Sequence, residues 1–203
     1  MPAASSVEIC NTALTLIGAP TIVSLKANSR EAKACDSIYN PSRRAVLAMH
    51  PWTFAQVRVT TAPDAETPDF NYTYQHSFPS DALVIKPVGK SRHSQQDYKI
   101  EGRKILTDED TLYLRYTKDL TDTSLFSDLF ADALAHHIAW KLAISLVQGN
   151  TGRRLKDSIW QDFQHTLAKA RHGDSGQQAG VTMEDFSLDD SRCQGVSLER
   201  DIT

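Results

Sequence analysis

The stretch LFADALAHHIAWKLAISL, residues 129–146, decides the fold of this chain. It combines alanines and larger apolar residues in a run with few charges, and it places His136 and His137 side by side. Neighbouring residues on a helix point about 100° apart, whereas a helical metal pair needs a spacing of three or four residues. We therefore expect packing or contact histidines on a long helix, and the sequence assigns the chain no metal site and no cofactor.

The polar residues of this helix are divided between two sides. Asp128, Asp132 and His136 lie on one side, and Lys141 and Ser145 lie on another. A helix on the surface of a monomer keeps one polar face along its whole length. The pattern predicts a helix that packs inside its own bundle and also against a neighbouring subunit, although the central helix of a monomeric bundle is an alternative. The predicted subunit contact consists of Asp132, His136, His137, Trp140 and Lys141.

Two helices are predicted before this stretch. Ser5 and Glu8 form a capping-box pattern at the start of the first, and residues 18–20 (Gly-Ala-Pro) end it. The second is expected to run from about Ser29 to Met49, with a kink or break at Pro41 because proline lacks the backbone N–H.

Two helices are also predicted at the far end. The central one is expected from Leu125 to about Gln148, capped by Thr123 or Ser124. The last is expected over 152–172, with Gly173 as its stop.

Between these helix pairs the apolar period changes from about 3.6 to 2. Alternation at 55–60 and 70–75, the apolar run 82–88 and a meander over 98–116 predict an antiparallel sheet with one solvated face. The sequence therefore predicts an α+β fold, mainly a bundle of four principal helices with an inserted small antiparallel β-sheet. The expected divisions are 1–52 and 120–172 for the bundle, 53–119 for the β lobe, and 173–203 for an extended acidic C-terminal arm.

The arm differs in composition from the rest of the chain. Residues 173–203 hold seven acidic and two basic residues, whereas the remainder carries a net charge of about +2 within a total of −3. Apolar residues are spread singly along this polar segment, which is typical of a chain that becomes ordered on a partner. The predicted partner-binding residues of the arm are Met183, Phe186, Leu188, Val196 and Leu198.

Several other classes of protein are disfavoured. Tight binding to nucleic acid usually requires a strong basic excess, which this chain lacks. Its three cysteines form no C-x-x-C pair, and its start carries neither a secretory signal nor an apolar run long enough to span a membrane. These features predict synthesis in a reducing cytoplasm. A DNA-binding module stays an alternative, as does a hydrolase that uses Asp132, His136 and a carboxylate from the sheet.

The sequence also resembles a known family. The chain is similar to the tail tubular protein A family of podophages, which are head-to-tail adaptor proteins of the virion. The resemblance covers roughly residues 7–172 and rests on five segments in order: EICNTALTLIGAPTIVSL, SREAKACDSIYNPSRRAVLAMHPWTFA, YTYQHSFPSDALVIKPVG, DYKIEGRKILTDEDTLYLRY and LFSDLFADALAHHIAWKLAISL.

That resemblance implies a function without catalysis. Members form a ring, commonly of twelve copies, between the portal protein and the tail nozzle protein, and double-stranded DNA leaves the capsid through the ring without being bound specifically. The family has no shared catalytic motif, so the expectation is a structural virion protein with no enzymatic activity and no membrane partner.

Overall fold

Two helices, a β region and two further helices follow one another along the chain. The computed structural model describes residues 5–87, 97–147 and 149–178. Its helices are α1 (Ser6–Leu16), α2 (Arg30–Ala48), α3 (Asp128–Leu146) and α4 (Gly149–Gln178). Its strands are β1 (Gln56–Thr61), β2 (Tyr74–Ser77), β3 (Ala82–Pro87), β4 (Lys99–Glu101), β5 (Lys104–Thr107) and β6 (Leu112–Lys118). The predicted α+β class is confirmed.

The start of α1 follows its sequence signal. The Ser5 hydroxyl accepts a hydrogen bond from the amide of Glu8 at 3.2 Å, and the Glu8 carboxylate accepts one from the amide of Ser5 at 2.6 Å. This reciprocal pair satisfies two N–H groups that have no partner within the helix. The carboxylate is held as an anion, so the pKa of Glu8 lies below its ordinary value.

Of the predicted kink or break at Pro41, the break does not occur, because helix α2 continues through this residue. Proline removes one backbone hydrogen bond, which leaves the carbonyl of Ser37 without its usual helical donor. Both Pro41 and Ser37 are exposed, and water can therefore solvate that carbonyl. The start of α2 agrees with prediction, because Ser29 caps it by accepting from the amide of Ala32.

Helix α3 lies at the centre of the bundle and packs against α1, α2 and α4. Ten of its nineteen residues are buried, including Phe130, Leu134, Ile138 and Leu142. Its alanines keep the facing helices close, and they belong to one hydrophobic core that extends over all four helices. The burial predicted for this helix is thus provided largely by the other helices of the same chain.

An aromatic cluster joins the bundle to the β lobe. The ring of Phe130 on α3 lies 5.0 Å from that of Trp52 and 5.1 Å from that of Phe54, both in edge-to-face contact. The indole N–H of Trp52 donates to the carbonyl of Val46 at 3.0 Å, which satisfies its polar atom in a fully buried site. These contacts fix where the chain leaves α2 for β1.

The β lobe contains two three-stranded antiparallel sheets instead of the single predicted sheet, in the orders β1-β6-β3 and β2-β5-β4. Their shared small core is formed by Ile105, Leu112 and Leu114. The predicted meander over 98–116 is only partly correct: β4 and β5 form a hairpin with a turn at Gly102, but β6 pairs with β1 and β3 in the other sheet.

One predicted strand begins later than expected. Residues 70–73 precede β2, although Phe70 and Tyr72 continue its alternating pattern. Phe70 is 74% exposed, and Asn71 has a φ of 70°, in the left-handed region that interrupts a strand. At residues 70–73, the alternation of aromatic and polar residues therefore does not mark a strand.

The last two helices also depart from prediction. Ser127 caps α3, while the predicted caps Thr123 and Ser124 lie in a preceding 3-10 turn. Helix α4 continues past Gly173 to Gln178, so the predicted stop is wrong. A Cβ at Gly173 would lie 2.9 Å from the Leu129 side chain, which shows that this glycine permits close packing of α4 on α3 instead of ending the helix. The remainder of the predicted arm, 179–203, lies outside the described residues.

Candidate interaction surfaces on the third and fourth helices

One narrow strip of α3 reaches the surface. Leu129, Asp132, His136, Trp140 and Ile144 follow one another at spacings of three or four residues and so share a face. Leu129 and Ile144 are large apolar residues that are 45% and 56% exposed at the two ends of the strip. Three of the five predicted contact residues (Asp132, His136 and Trp140) lie on this strip, and Lys141 is half-buried beside it.

Asp132 and His136 form a local pair on this strip. The ring Nδ1 of His136 lies 2.9 Å from the backbone carbonyl of Asp132 and 3.4 Å from its carboxylate. A carbonyl can only accept, so Nδ1 carries the proton and donates. This arrangement leaves Nε2 as the ring nitrogen that can accept from a group outside the helix.

His137, in contrast to His136, lies in the interior of the helix bundle. Its side chain is only 3% exposed, and its ring lies 5.0 Å from that of Phe163 on α4. Burial, with the nearby charge of Lys141, lowers its pKa to about 4. Among the described residues its Nδ1 has no hydrogen-bond partner. His137 is therefore a neutral core residue in the single chain, and its side chain offers no surface to a neighbouring subunit.

Aromatic rings continue from His137 to the surface between α3 and α4. The ring centroids of Trp140 and Trp160 are 4.8 Å apart, and the Lys156 ammonium lies 5.1 Å from the Trp140 ring. Both tryptophans are half-buried. A cation held against an indole face is stabilised by the ring quadrupole. This part of the surface is thus apolar in its centre and positive at its edge.

A buried carboxylate that sequence reasoning missed lies near the end of α4. Asp174 is 6% exposed and accepts from the amide of Thr53 at 3.0 Å and from its hydroxyl at 2.5 Å, while His50 Nε2 lies 3.2 Å away. The sequence placed Asp174 in the acidic arm, because nothing in its neighbourhood indicates burial. Its contacts correct that placement and attach the last turns of α4 to the body.

A second missed group connects α2 to the end of β6. Arg43 is 3% exposed, its Nη1 lies 2.6 Å from an Asp119 carboxylate oxygen, and it donates to the carbonyl of Leu120. Arg44 reaches the other oxygen of Asp119 at 3.3 Å from an exposed position. The adjacent arginines of the sequence therefore differ in role, since one is a buried connector and the other lies at the surface.

The residues suggested for hydrolysis are only partly brought together. Asp132 and His136 are adjacent, but no sheet carboxylate is a hydrogen-bond partner of either within the described ranges. Asp108, an acidic residue of the β lobe, accepts from the amide and the hydroxyl of Thr73, both at 2.9 Å. In the described part of the chain, no group of three or more His, Cys, Asp or Glu side chains is placed to hold a metal ion.

Comparison of the chain with protein-family models and with curated proteins finds no match.

Among the helices that the structure describes, none combines the length and the apolar character needed to cross a lipid bilayer. The predicted arm residues Met183, Phe186, Leu188, Val196 and Leu198 lie outside the described residues. Of the two predicted contact regions, the structure describes only the one on α3, so the candidate site is the surface of α3 and the adjacent α4.

Proposed function

We propose that this chain is a structural virion protein, the subunit of a head-to-tail adaptor ring that joins a phage portal to the tail nozzle. The observation that carries the proposal is the order of the five family-like segments. They fall in turn on α1, α2, the β lobe and α3, so a single fold contains the whole resemblance. The proposed location is the neck of the virion, after assembly in the host cytoplasm.

The exposed strip of α3 supports a subunit contact. A closed ring needs a heterologous contact, in which one patch meets a different patch on the next copy. Leu129 and Ile144 place apolar groups at the ends of the strip, and Asp132 and His136 place polar groups between them. Apolar anchors with polar groups that fix orientation are typical of specific interfaces. We assign the contact to Asp132, His136, Trp140, Lys141 and the two apolar ends, and we leave out the buried His137.

The charge distribution supports a conduit for DNA. A protein that grips the phosphate backbone displaces counterions with many lysines and arginines. Residues 1–172 have a net charge of only about +2, and the segment beyond is acidic. In the proposed ring, double-stranded DNA passes through the channel without specific binding. The expected ring contains about twelve copies, by the same resemblance.

The arm is the proposed attachment to another virion protein. Met183, Phe186 and Leu188 are apolar residues in an otherwise polar segment, and Val196 and Leu198 repeat the pattern. Such a segment binds by becoming ordered on its partner. The portal protein is the proposed partner.

Assembly of matched variants tests this function. Ile144→Glu places a carboxylate in the proposed contact, and Val23→Glu places one on a residue that is 92% exposed in the loop between α1 and α2. Each protein is mixed with the portal and nozzle proteins of the same phage, and the complexes are weighed by native mass spectrometry. We expect rings with the natural chain and with Val23→Glu, and loss of rings with Ile144→Glu. Equal assembly by both variants would exclude this contact, and failure of the natural chain to bind either protein would exclude the function.

A further inference from the structure

We propose that residues 181–190 bind, within the same molecule, across a surface that we call the tryptophan surface. This surface consists of Trp140, Lys141, Ile144, Lys156 and Trp160. It lies where the C-terminal half of α3 meets the N-terminal half of α4. The inference concerns the single chain and requires no other protein.

The tryptophan surface has the chemistry of a peptide-binding site. Trp140 and Trp160 are in ring contact and half-buried, and Ile144 is 56% exposed beside them. Lys156 lies over the Trp140 ring. Arg153 precedes Lys156 by three residues and Trp160 by seven, so an exposed guanidinium shares that face of α4. Aromatic anchors within a cationic edge favour a ligand that carries both apolar and acidic side chains.

Residues 181–190 match that requirement. Their sequence is VTMEDFSLDD, in which four carboxylates are interleaved with Val181, Met183, Phe186 and Leu188. Residues 179–203 as a whole hold six acids and two arginines, a net charge of −4. The opposite signs of segment and surface would lower the free energy of their contact, and the apolar side chains would be removed from water against the indoles.

The length of the chain allows the contact within one molecule. Trp160 and Gln178 are eighteen residues apart on α4, which corresponds to about 27 Å along the helix. Phe186 follows Gln178 by eight residues, and an extended chain of that length spans about 26–29 Å. A segment that returns antiparallel along α4 therefore brings Phe186 level with Trp160. Asp189 then lies about 10 Å beyond Phe186, which is level with Arg153 and about one turn past Lys156, a distance that the long lysine side chain can span.

This contact would have a consequence for assembly, which rests on the proposed function. Trp140, Lys141 and Ile144 also belong to the proposed ring contact. A segment bound there would cover the contact in a free subunit, and a partner that takes the arm would expose it. Ring formation would then depend on arrival of the portal.

Tryptophan fluorescence can detect the contact in the full chain. The chain has three tryptophans, and Trp52 is fully buried, so acrylamide reaches mainly Trp140 and Trp160. Replacing Phe186 and Leu188 by serine should raise the quenching constant about twofold, because the two indoles lose their cover. Leu198→Ser, outside the segment, is the matched control and should leave quenching unchanged. Unchanged quenching in the Phe186/Leu188 variant would overturn the proposal.

A charge exchange tests the pairing directly. Lys156→Glu should raise quenching, and adding Asp189→Lys and Asp190→Lys to it should restore the natural value. Lys169→Glu changes an exposed lysine further along α4 and should have no effect. Lack of restoration would exclude the pairing of these acids with Lys156.

Dilution of the protein distinguishes a segment of the same molecule from a segment of a second copy as the group that covers the tryptophan surface. Quenching that is independent of protein concentration supports binding within one molecule, whereas shielding that disappears on dilution would show that a second copy provides the segment and would overturn the proposal. These measurements use the chain alone, without portal or nozzle. They can therefore fail while the proposed ring stands, and they can succeed if the ring does not form.

Discussion

Asp174, near the end of α4, accepts hydrogen bonds from both the amide and the hydroxyl of Thr53, at 3.0 and 2.5 Å. The two residues are 121 positions apart in the sequence. Their contact connects the end of the last helix to the first turn of the β lobe. Arg171 adds to this attachment by donating to the carbonyl of Met49 at 2.9 Å. The final turns of α4 therefore belong to the body of the protein.

Removal of this carboxylate should destabilise the chain. Asp174→Ala leaves the part-buried amide and hydroxyl of Thr53 without their acceptor, and we expect a loss of about 1–3 kcal/mol in the free energy of unfolding. Asp162→Ala, at an exposed position of the same helix, should change it by less than about 0.5 kcal/mol. Urea denaturation measures both variants. A loss for Asp174→Ala as small as that of the control would show that the attachment contributes little.

The adjacent arginines of α2 should respond differently to the same substitution. Arg43→Met leaves Asp119 without its buried partner, and we expect a loss of about 3 kcal/mol. Arg44→Met removes a 58% exposed side chain and should cost at most about 1 kcal/mol. The measurement is urea denaturation at neutral pH. Equal losses would contradict the separate roles of the two residues.

His137 should make stability depend on pH. Its pKa is about 4 in the folded chain, below the ordinary value of 6.5, so between these values the unfolded chain binds the additional proton. The free energy of unfolding should therefore fall as pH is lowered from about 6.5 to 4, by up to about 1.4 kcal/mol per pH unit from this residue.

Matched variants isolate that effect. His137→Leu should lose this part of the slope and become more stable than the natural chain near pH 4.5. His165→Leu removes an exposed histidine and should keep the natural slope. Chemical denaturation at a series of pH values compares the three proteins, and an unaltered slope in His137→Leu would contradict the assignment of a neutral buried imidazole.

Two glycines of α4 should give opposite results when they are replaced by alanine. A Cβ at Gly152 would lie 2.4 Å from the carbonyl oxygen of Val147, so Gly152→Ala should destabilise the α3–α4 corner by about 1–3 kcal/mol. A Cβ at Gly176 meets nothing within 4 Å, so Gly176→Ala should stabilise the helix by up to about 1 kcal/mol. Thermal unfolding followed by circular dichroism measures both. Stabilisation by Gly152→Ala would contradict the tight corner.

The helices were predictable because their signals are local. Ser5 and Glu8 make their reciprocal cap within one turn, and the apolar residues of α3 identify a central helix without reference to any partner. Most strands of the β lobe were predictable for the same reason, since alternation marks strands, although at residues 70–73 the alternation continues outside β2. How those strands divide into two sheets was not, because pairing of β1 with β6 joins residues more than fifty positions apart.

The site was less predictable than the fold. Gly173 has the sequence features of a helix stop, yet its lack of a side chain serves close packing against Leu129. His136 and His137 look equivalent in sequence, but His137 is buried and its ring packs against Phe163 of α4. Asp174 looks like an arm residue until Thr53 is seen beside it. In each case the deciding contact comes from a distant part of the chain.

The proposed function depends on assembly of the chain into a ring. Measurement of the mass of the complexes tests that assembly most directly. Native mass spectrometry of the full chain, alone and with the portal protein of the same phage, gives the number of subunits of 22.6 kDa in each complex. We predict a portal complex that gains a full ring of about twelve copies, as a closed cyclic assembly requires. A chain that keeps the mass of one subunit at every concentration and in the presence of the portal would contradict the adaptor function.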